Sequence, residues 1–167
     1  MHILNEHQQS VVGVAFSPDS QILASASVDK TVKLWKRDGT LVNSFEFEDE
    51  TKDVVFHPDG DMLAVASSQL VLLVTLDGDI IRRILHDNWV NNVVFSPDGK
   101  TVLTSTNQSA QQWTLTGEKV QSFPDESWVN MAQFRPIPTT HNNQEPLIAS
   151  AGYQVVHLWT LQGKKLK

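Results

Sequence analysis

Cysteine is absent from the 167-residue chain. That excludes disulfides, thiolate catalysis and cysteine-ligated zinc, and it fits a reducing compartment. Clustered positive charge is scarce as well. The formal net charge is −6, and basic clusters such as Arg82-Arg83 and the tail Lys164, Lys165 and Lys167 are short. Nucleic acids and anionic membranes are held by clustered Lys and Arg, so neither is an expected partner. No stretch is long and apolar enough to span a bilayer as a helix. The opening MHILNEHQQS lacks the basic start and apolar run of a secretory signal, so the cytoplasm is the expected location. The histidines (His2, His7, His57, His86, His141 and His157) show no metal-ligand spacing, and neither a metal nor a cofactor is expected.

Helix-forming runs of Ala, Leu, Glu and Lys are also missing. In their place are short runs rich in Val, Leu, Thr and Ser, which favour strands. Hydrophobic residues make up 40% of the chain, enough for a packed core. The runs repeat. HQQSVVGVAFSPDS (7–20) and HDNWVNNVVFSPDG (86–99) share the His, two Val and Phe-Ser-Pro-Asp. Phe16, Phe56, Phe95 and Phe134 form a ladder with steps of 40, 39 and 39. Trp35, Val74, Trp113 and Trp159 trail it by 19, 18, 18 and 25, the last step lengthened by the insertion IPTTHNNQEP (137–146). A third ladder is the turn at Gly39, Gly78, Gly117 and Gly163.

Each unit reads as four strands. In the first these are 11–16, 22–27, 31–36 and 41–47, separated by Ser-Pro-Asp-Ser, Val-Asp-Lys and Asp-Gly turns. A period near 40 with four strands per unit selects an all-β propeller over a sandwich. The approximate repeats are 7–47, 48–85, 86–124 and 125–167.

The first unit, His7 through FSPDSQILASASVDKTVKLW, resembles a WD40 repeat, and the resemblance extends more loosely over the rest of the chain. It implies four-stranded antiparallel blades around a channel, four blades in this chain, mostly serving as a platform for protein partners. His7, Ser25, Asp29 and Trp35 superficially suggest a hydrolase triad. In WD40 repeats such residues form a hydrogen-bonded set inside the blade, which satisfies a buried indole N–H and hydroxyl and pins two turns. Neither a nucleophile elbow nor a glycine-rich oxyanion loop accompanies them. Ser25 and Ser27 point to one face, so either can be the hydroxyl. The second unit has Phe47 at the His position, no turn Asp, and Val74 for Trp. The third keeps His86, Ser105 and Trp113 without the Asp. The fourth keeps Ser150 and Trp159, with Asp125 at the His position.

By repeat alignment, residues 1–6 end a fourth strand and Lys164–Lys167 begin one, so residues 1–6 are expected to complete a terminal blade. Three closures follow: a four-bladed monomer, a two-fold homodimer of eight blades, or a piece of a longer array. The homodimer is favoured because it keeps the family's usual blade shape.

The resemblance puts the His-bearing loops on one face, the top. Three residues after the His position stand Ser10, Glu50, Trp89 and Trp128; five after it stand Val12, Lys52, Asn91 and Asn130. A Trp repeated at a rim offers large apolar area with one donor, as interface hot spots do; packing between blades is the competing reading. The acidic run Glu46, Glu48, Asp49 and Glu50 reads as a solvated loop. The expected function is a non-catalytic scaffold binding protein or peptide at the top face. A module that assembles or regulates a fused effector is the alternative, and an enzyme using the channel is the least favoured.

Overall fold

A computed structural model describes residues 3–125, 128–136 and 147–166. The insertion at 137–146, His2 and His141 lie outside the described residues. The chain divides into two compact units, Met1–Val90 and Asn91–Lys167.

The first unit holds two antiparallel sheets. One is β1 (Val11–Phe16), β2 (Ile22–Ser27), β3 (Thr31–Lys36) and β4 (Leu41–Glu46), paired in that order. The other is β5 (Thr51–Phe56), β6 (Met62–Ser67), β7 (Leu70–Thr75) and β8 (Ile80–Leu85). These are the meanders that the strand-turn pattern requires. The Phe-Ser-Pro-Asp turns explain their own recurrence. Ser17 Oγ donates to Asp19 Oδ1 (2.6 Å) and accepts from the Ile22 N–H (2.9 Å). The Ser17 hydroxyl first, and the Gln21 N–H next, hold the Asp19 carboxyl below its ordinary range. Ser96 and the Lys100 N–H act alike on Asp98. Where His57 replaces the serine, its Nδ1 accepts from the Asp59 N–H at 3.2 Å.

The two sheets pack face to face. Ala24, Ala26, Val32, Leu34 and Phe45 of the first share one buried cluster with Val54, Phe56, Leu63, Val65, Leu72 and Val74 of the second. Each fully buried Val, Leu or Phe contributes about 1.5–3 kcal/mol. Small residues on one face admit large ones from the other. Backbone meets backbone closely at Gly13, where an added Cβ would lie 3.0 Å from the Asp53 Cα.

The second unit holds β9 (Val90–Phe95), β10 (Thr101–Thr106), β11 (Ser109–Thr114) and β12 (Lys119–Pro124) in one sheet. A second sheet has β13 (Val129–Phe134), β14 (Leu147–Gly152) and β15 (Val156–Thr160). Four strands are expected there and three form. A single bridge, Trp159 to Lys165, marks where a fourth would pair, and one bridge is too few hydrogen bonds to make a strand. Phe123, Leu103, Ala110, Ala132, Ile148 and Trp159 form this unit's core. The Phe123 ring meets Trp159 edge-on at 5.9 Å.

Candidate functional site

His7 comes from the loop before β1, Ser25 from β2, Asp29 from the β2–β3 turn and Trp35 from β3. The fold brings all four together. His7 Nε2 lies 2.7 Å from Ser25 Oγ, and Nδ1 lies 3.1 Å from Asp29 Oδ2. Trp35 Nε1–H donates to Ser25 Oγ at 2.9 Å. A carboxylate only accepts, so His7 Nδ1–H donates to Asp29. Ser25 Oγ–H then donates to Nε2 while its lone pair takes the indole. Ser25 is the hydroxyl of the set. Ser27 Oγ caps the neighbouring turn, accepting from the Asp29 N–H at 3.1 Å. Burial works against the Asp29 charge. It is outweighed by hydrogen bonds from the Thr31 hydroxyl, the Gln8 N–H, His7 and the Thr31 N–H, which hold this carboxyl well below the ordinary range.

These distances are those of a hydrolytic triad, but the surroundings are not. Ser25 is only 5% exposed, and both functions of its hydroxyl are engaged by Trp35 and His7. A cavity of about 510 Å³ in this unit is lined by Leu4, Phe16, Leu23 and Gly39 and not by His7 or Ser25. Nothing in this arrangement presents the hydroxyl to a substrate carbonyl.

The other sheets keep parts of the set. Val65 stands at the Ser25 position of the second sheet, inside the apolar core. In the third, the register corrects the sequence reading. Thr104 pairs with Gln111 and Val102 with Trp113, so Thr104, not Ser105, occupies the Ser25 position. Ser105 faces the other way, and its Oγ donates to the Asn130 carbonyl at 3.2 Å. Adjacent strand residues point to opposite faces, so an offset of one residue reverses the assignment. The fourth sheet keeps Trp159 Nε1–H donating to Ser150 Oγ at 2.9 Å, and it exchanges the acid and the imidazole. Asp125, in the loop, meets His157 of β15 at 2.8 Å. His157 pairs across the strands with Ser150 and lies edge-on to Trp159 at 5.8 Å.

Three of the candidate rim residues sit at a device that sequence reasoning missed. β1 has an irregularity between Val11 and Gly13, β5 between Thr51 and Asp53, and β13 between Val129 and Met131. The skipped residues are Val12, Lys52 and Asn130. A bulge leaves its extra residue unpaired in the ladder and re-aims its side chain. Val12 and Asn130 are exposed. Lys52 turns back to Glu50, Nζ to Oε2 3.2 Å. Asn91 is committed elsewhere, its amide donating to the Val129 carbonyl (3.1 Å) and to Asn107 Oδ1 (3.3 Å). Ser10 is exposed, and its carbonyl accepts from the Val28 N–H. Trp89 and Trp128 each stand immediately before an innermost strand, 49% and 64% exposed. Among the described residues no group of three His, Asp or Glu side chains is placed to hold a metal, and no helix is long and apolar enough to cross a membrane.

Four successive antiparallel sheets of one pattern, packed face to face within each unit, define a repeat protein of the β-propeller class. The family model for the WD domain, G-beta repeat, matches residues 1–36 and 78–114. Those two segments are WD40 repeats, and the four antiparallel sheets are consistent with a WD40 propeller. The chain is 50% identical over 44 residues to a U4/U6 small nuclear ribonucleoprotein PRP4-like protein of Arabidopsis thaliana, covering 26% of this chain and 8% of the relative. It is 37% identical over 71 residues to cilia- and flagella-associated protein 57 A of Tetrahymena thermophila, covering 42% and 6%. It is 38% identical over 72 residues to eukaryotic translation initiation factor 3 subunit I of Aspergillus fumigatus, covering 42% and 21%. The matched segments thus span between 6% and 21% of these relatives. WD40-repeat proteins generally serve as protein-interaction scaffolds, and the matched repeats support that general role here.

Proposed function

We propose that this chain is a non-catalytic scaffold that binds a protein or peptide at the blade rim, in the cytoplasm, with Trp128 and Trp89 as anchors. The observation that carries the reading is the exposure of both indoles at a position where the first two repeats have Ser10 and Glu50. The fold does not need a Trp there, and an exposed indole offers the area and donor of a hot spot. Val12, Lys52 and Asn130 complete the candidate rim. Burial of Ser25 supports the non-enzymatic reading. The net charge of −6 supports protein over nucleic acid or membrane as the partner class. Self-association into a two-fold homodimer of eight blades belongs to the same proposal, as does residues 1–6 completing a terminal blade. Service as an assembly or regulatory module for a fused effector is the runner-up.

Quantitative partner recovery with immobilised wild-type, Trp89→Ala and Trp128→Ala chains tests the rim. Each substitution is expected to weaken partner binding about thirtyfold, the ~2 kcal/mol typical of a hot spot. Unchanged recovery by both folded variants overturns the rim assignment.

A further inference from the structure

The second blade departs from the hydrogen-bonded set of the first, and the departure reshapes one wall. Val65 pairs with Leu72 as Ser25 pairs with Lys33, so Leu72 and Leu70 stand where the first blade has Lys33 and Thr31. Phe47 stands at the His7 position. In the first blade Thr31, His7 and Asp29 hydrogen-bond to one another. In the second, Phe47, Leu70 and Leu72 carry no side-chain donor or acceptor. With Ile80 of β8 they line a cleft of about 260 Å³, wholly within the first unit.

The same cleft is lined by Glu46, Glu48 and Asp49, against one cation, Arg83. At the matching loop positions the first blade has Glu6, Gln8 and Gln9, a single acid. Phe47 and Leu72 are buried and the three acids are exposed, so the floor is apolar and the mouth acidic. Lys52 is engaged by Glu50, and among the described residues Glu46, Glu48 and Asp49 make no ion pair. The loop that carries them is tied down. The Phe47 N–H donates to the Lys30 carbonyl (2.9 Å), Lys30 Nζ to the Glu48 carbonyl (2.8 Å) and Ser67 Oγ to the Asp49 carbonyl (3.3 Å).

From this we infer that the cleft takes one lysine side chain of a basic peptide. Its volume is below the roughly 300–1,000 Å³ of sites that hold small molecules, and it suits a single side chain. Lysine lays a four-carbon stem along apolar surface and keeps its ammonium at the solvent edge, where the carboxylates stand. A wholly apolar side chain would gain nothing from the acids, and an acidic one would be repelled by them. Arg83 offsets one of the three negative charges and leaves the cleft acidic. None of the candidate rim residues lines the cleft, so the inference stands apart from the rim reading.

Heteronuclear NMR titration of the full chain with a blocked Gly-Lys-Gly peptide tests it. Saturable shifts are expected at the amides of Glu48, Asp49, Leu70 and Arg83. A norleucine counterpart keeps the stem without the charge, and a 2,4-diaminobutyrate counterpart keeps the charge on a shorter stem. Each is expected to bind about tenfold more weakly than the lysine peptide. Glu48→Gln and Asp49→Asn, both at exposed side chains, are each expected to weaken the lysine peptide about threefold. Glu118→Gln, an exposed acid of the second unit, is expected to leave binding unchanged. Absence of saturable shifts at the four amides overturns the site. Equal binding of the norleucine peptide removes the part of the ammonium, equal binding of the shorter analogue removes the part of the stem, and either overturns the inference. A loss from Glu118→Gln equal to that from Glu48→Gln means that net charge alone attracts the peptide, which also overturns it.

Discussion

Replacing Asp29 with alanine lowers the unfolding free energy of the first unit by about 3 kcal/mol at neutral pH, the cost of breaking a buried hydrogen-bonded network. The carboxylate is 6% exposed. It accepts from the Thr31 hydroxyl (2.6 Å), the Gln8 N–H (2.7 Å), the Thr31 N–H (3.0 Å) and His7 Nδ1 (3.1 Å). Alanine leaves the hydroxyl and the imidazole N–H in a space with little water, and it frees His7 from the orientation that lets Nε2 meet Ser25. The loss is pH-dependent in a definite sense. The carboxyl is held below its ordinary value in the folded chain. The unfolded chain therefore binds the proton first as pH falls. Asp29 contributes its full stabilisation above the ordinary carboxylate value of about 4 and loses it progressively below. Urea unfolding at a series of pH values is expected to show the gap between wild type and Asp29→Ala constant from pH 7 to 5 and narrowing below about pH 4. A gap that stays constant to pH 3 would mean that the charge has no part in it.

Gly78→Ala destabilises the same unit by about 3 kcal/mol through a different mechanism. Gly78 sits in the β7–β8 turn at φ +98°, and its added Cβ would lie 2.6 Å from Phe45 Cδ1 and 2.9 Å from Cε1. Phe45 is a buried member of the inter-blade cluster, so its ring has nowhere to retreat. Positive φ with a Cβ costs about 1–2 kcal/mol, and overpacking adds about 1–3. Gly39 holds the matching turn of the first blade at φ +90° and lines the open cavity. Gly39→Ala should therefore show the backbone cost alone. Equal losses at the two glycines in denaturant unfolding would remove the packing explanation.

The first blade was legible in the sequence almost residue by residue. Its strands run 11–16, 22–27, 31–36 and 41–46, against an expected fourth strand ending at 47. Period-two alternation and Pro, Asp and Gly turns are local signals, so one chain suffices to read them. The His7, Ser25, Asp29 and Trp35 set needed the repeat spacing and the family resemblance. Choosing Ser25 over Ser27 needed atomic contacts, because both lie on one face. The error at Ser105 has a simple origin. Nine residues separate Phe16 from Ser25, and the same step from Phe95 reaches Thr104, whereas a serine was sought by type. The Asp125–His157 pair was not legible, since it joins a loop to a strand position where the first blade has Lys33. The bulges at Val12, Lys52 and Asn130 leave no mark in residue type. They are properties of pairing register.

Residues that repeat build the blades, whereas Trp89 and Trp128, which depart from the repeat, are proposed to bind. Denaturant unfolding of Trp128→Ala tests that separation most directly. The account predicts an unfolding free energy within about 0.5 kcal/mol of wild type, as for a surface position. A loss of about 3 kcal/mol or more, the cost of deleting a packed Trp, would contradict it by showing that the indole is part of the fold.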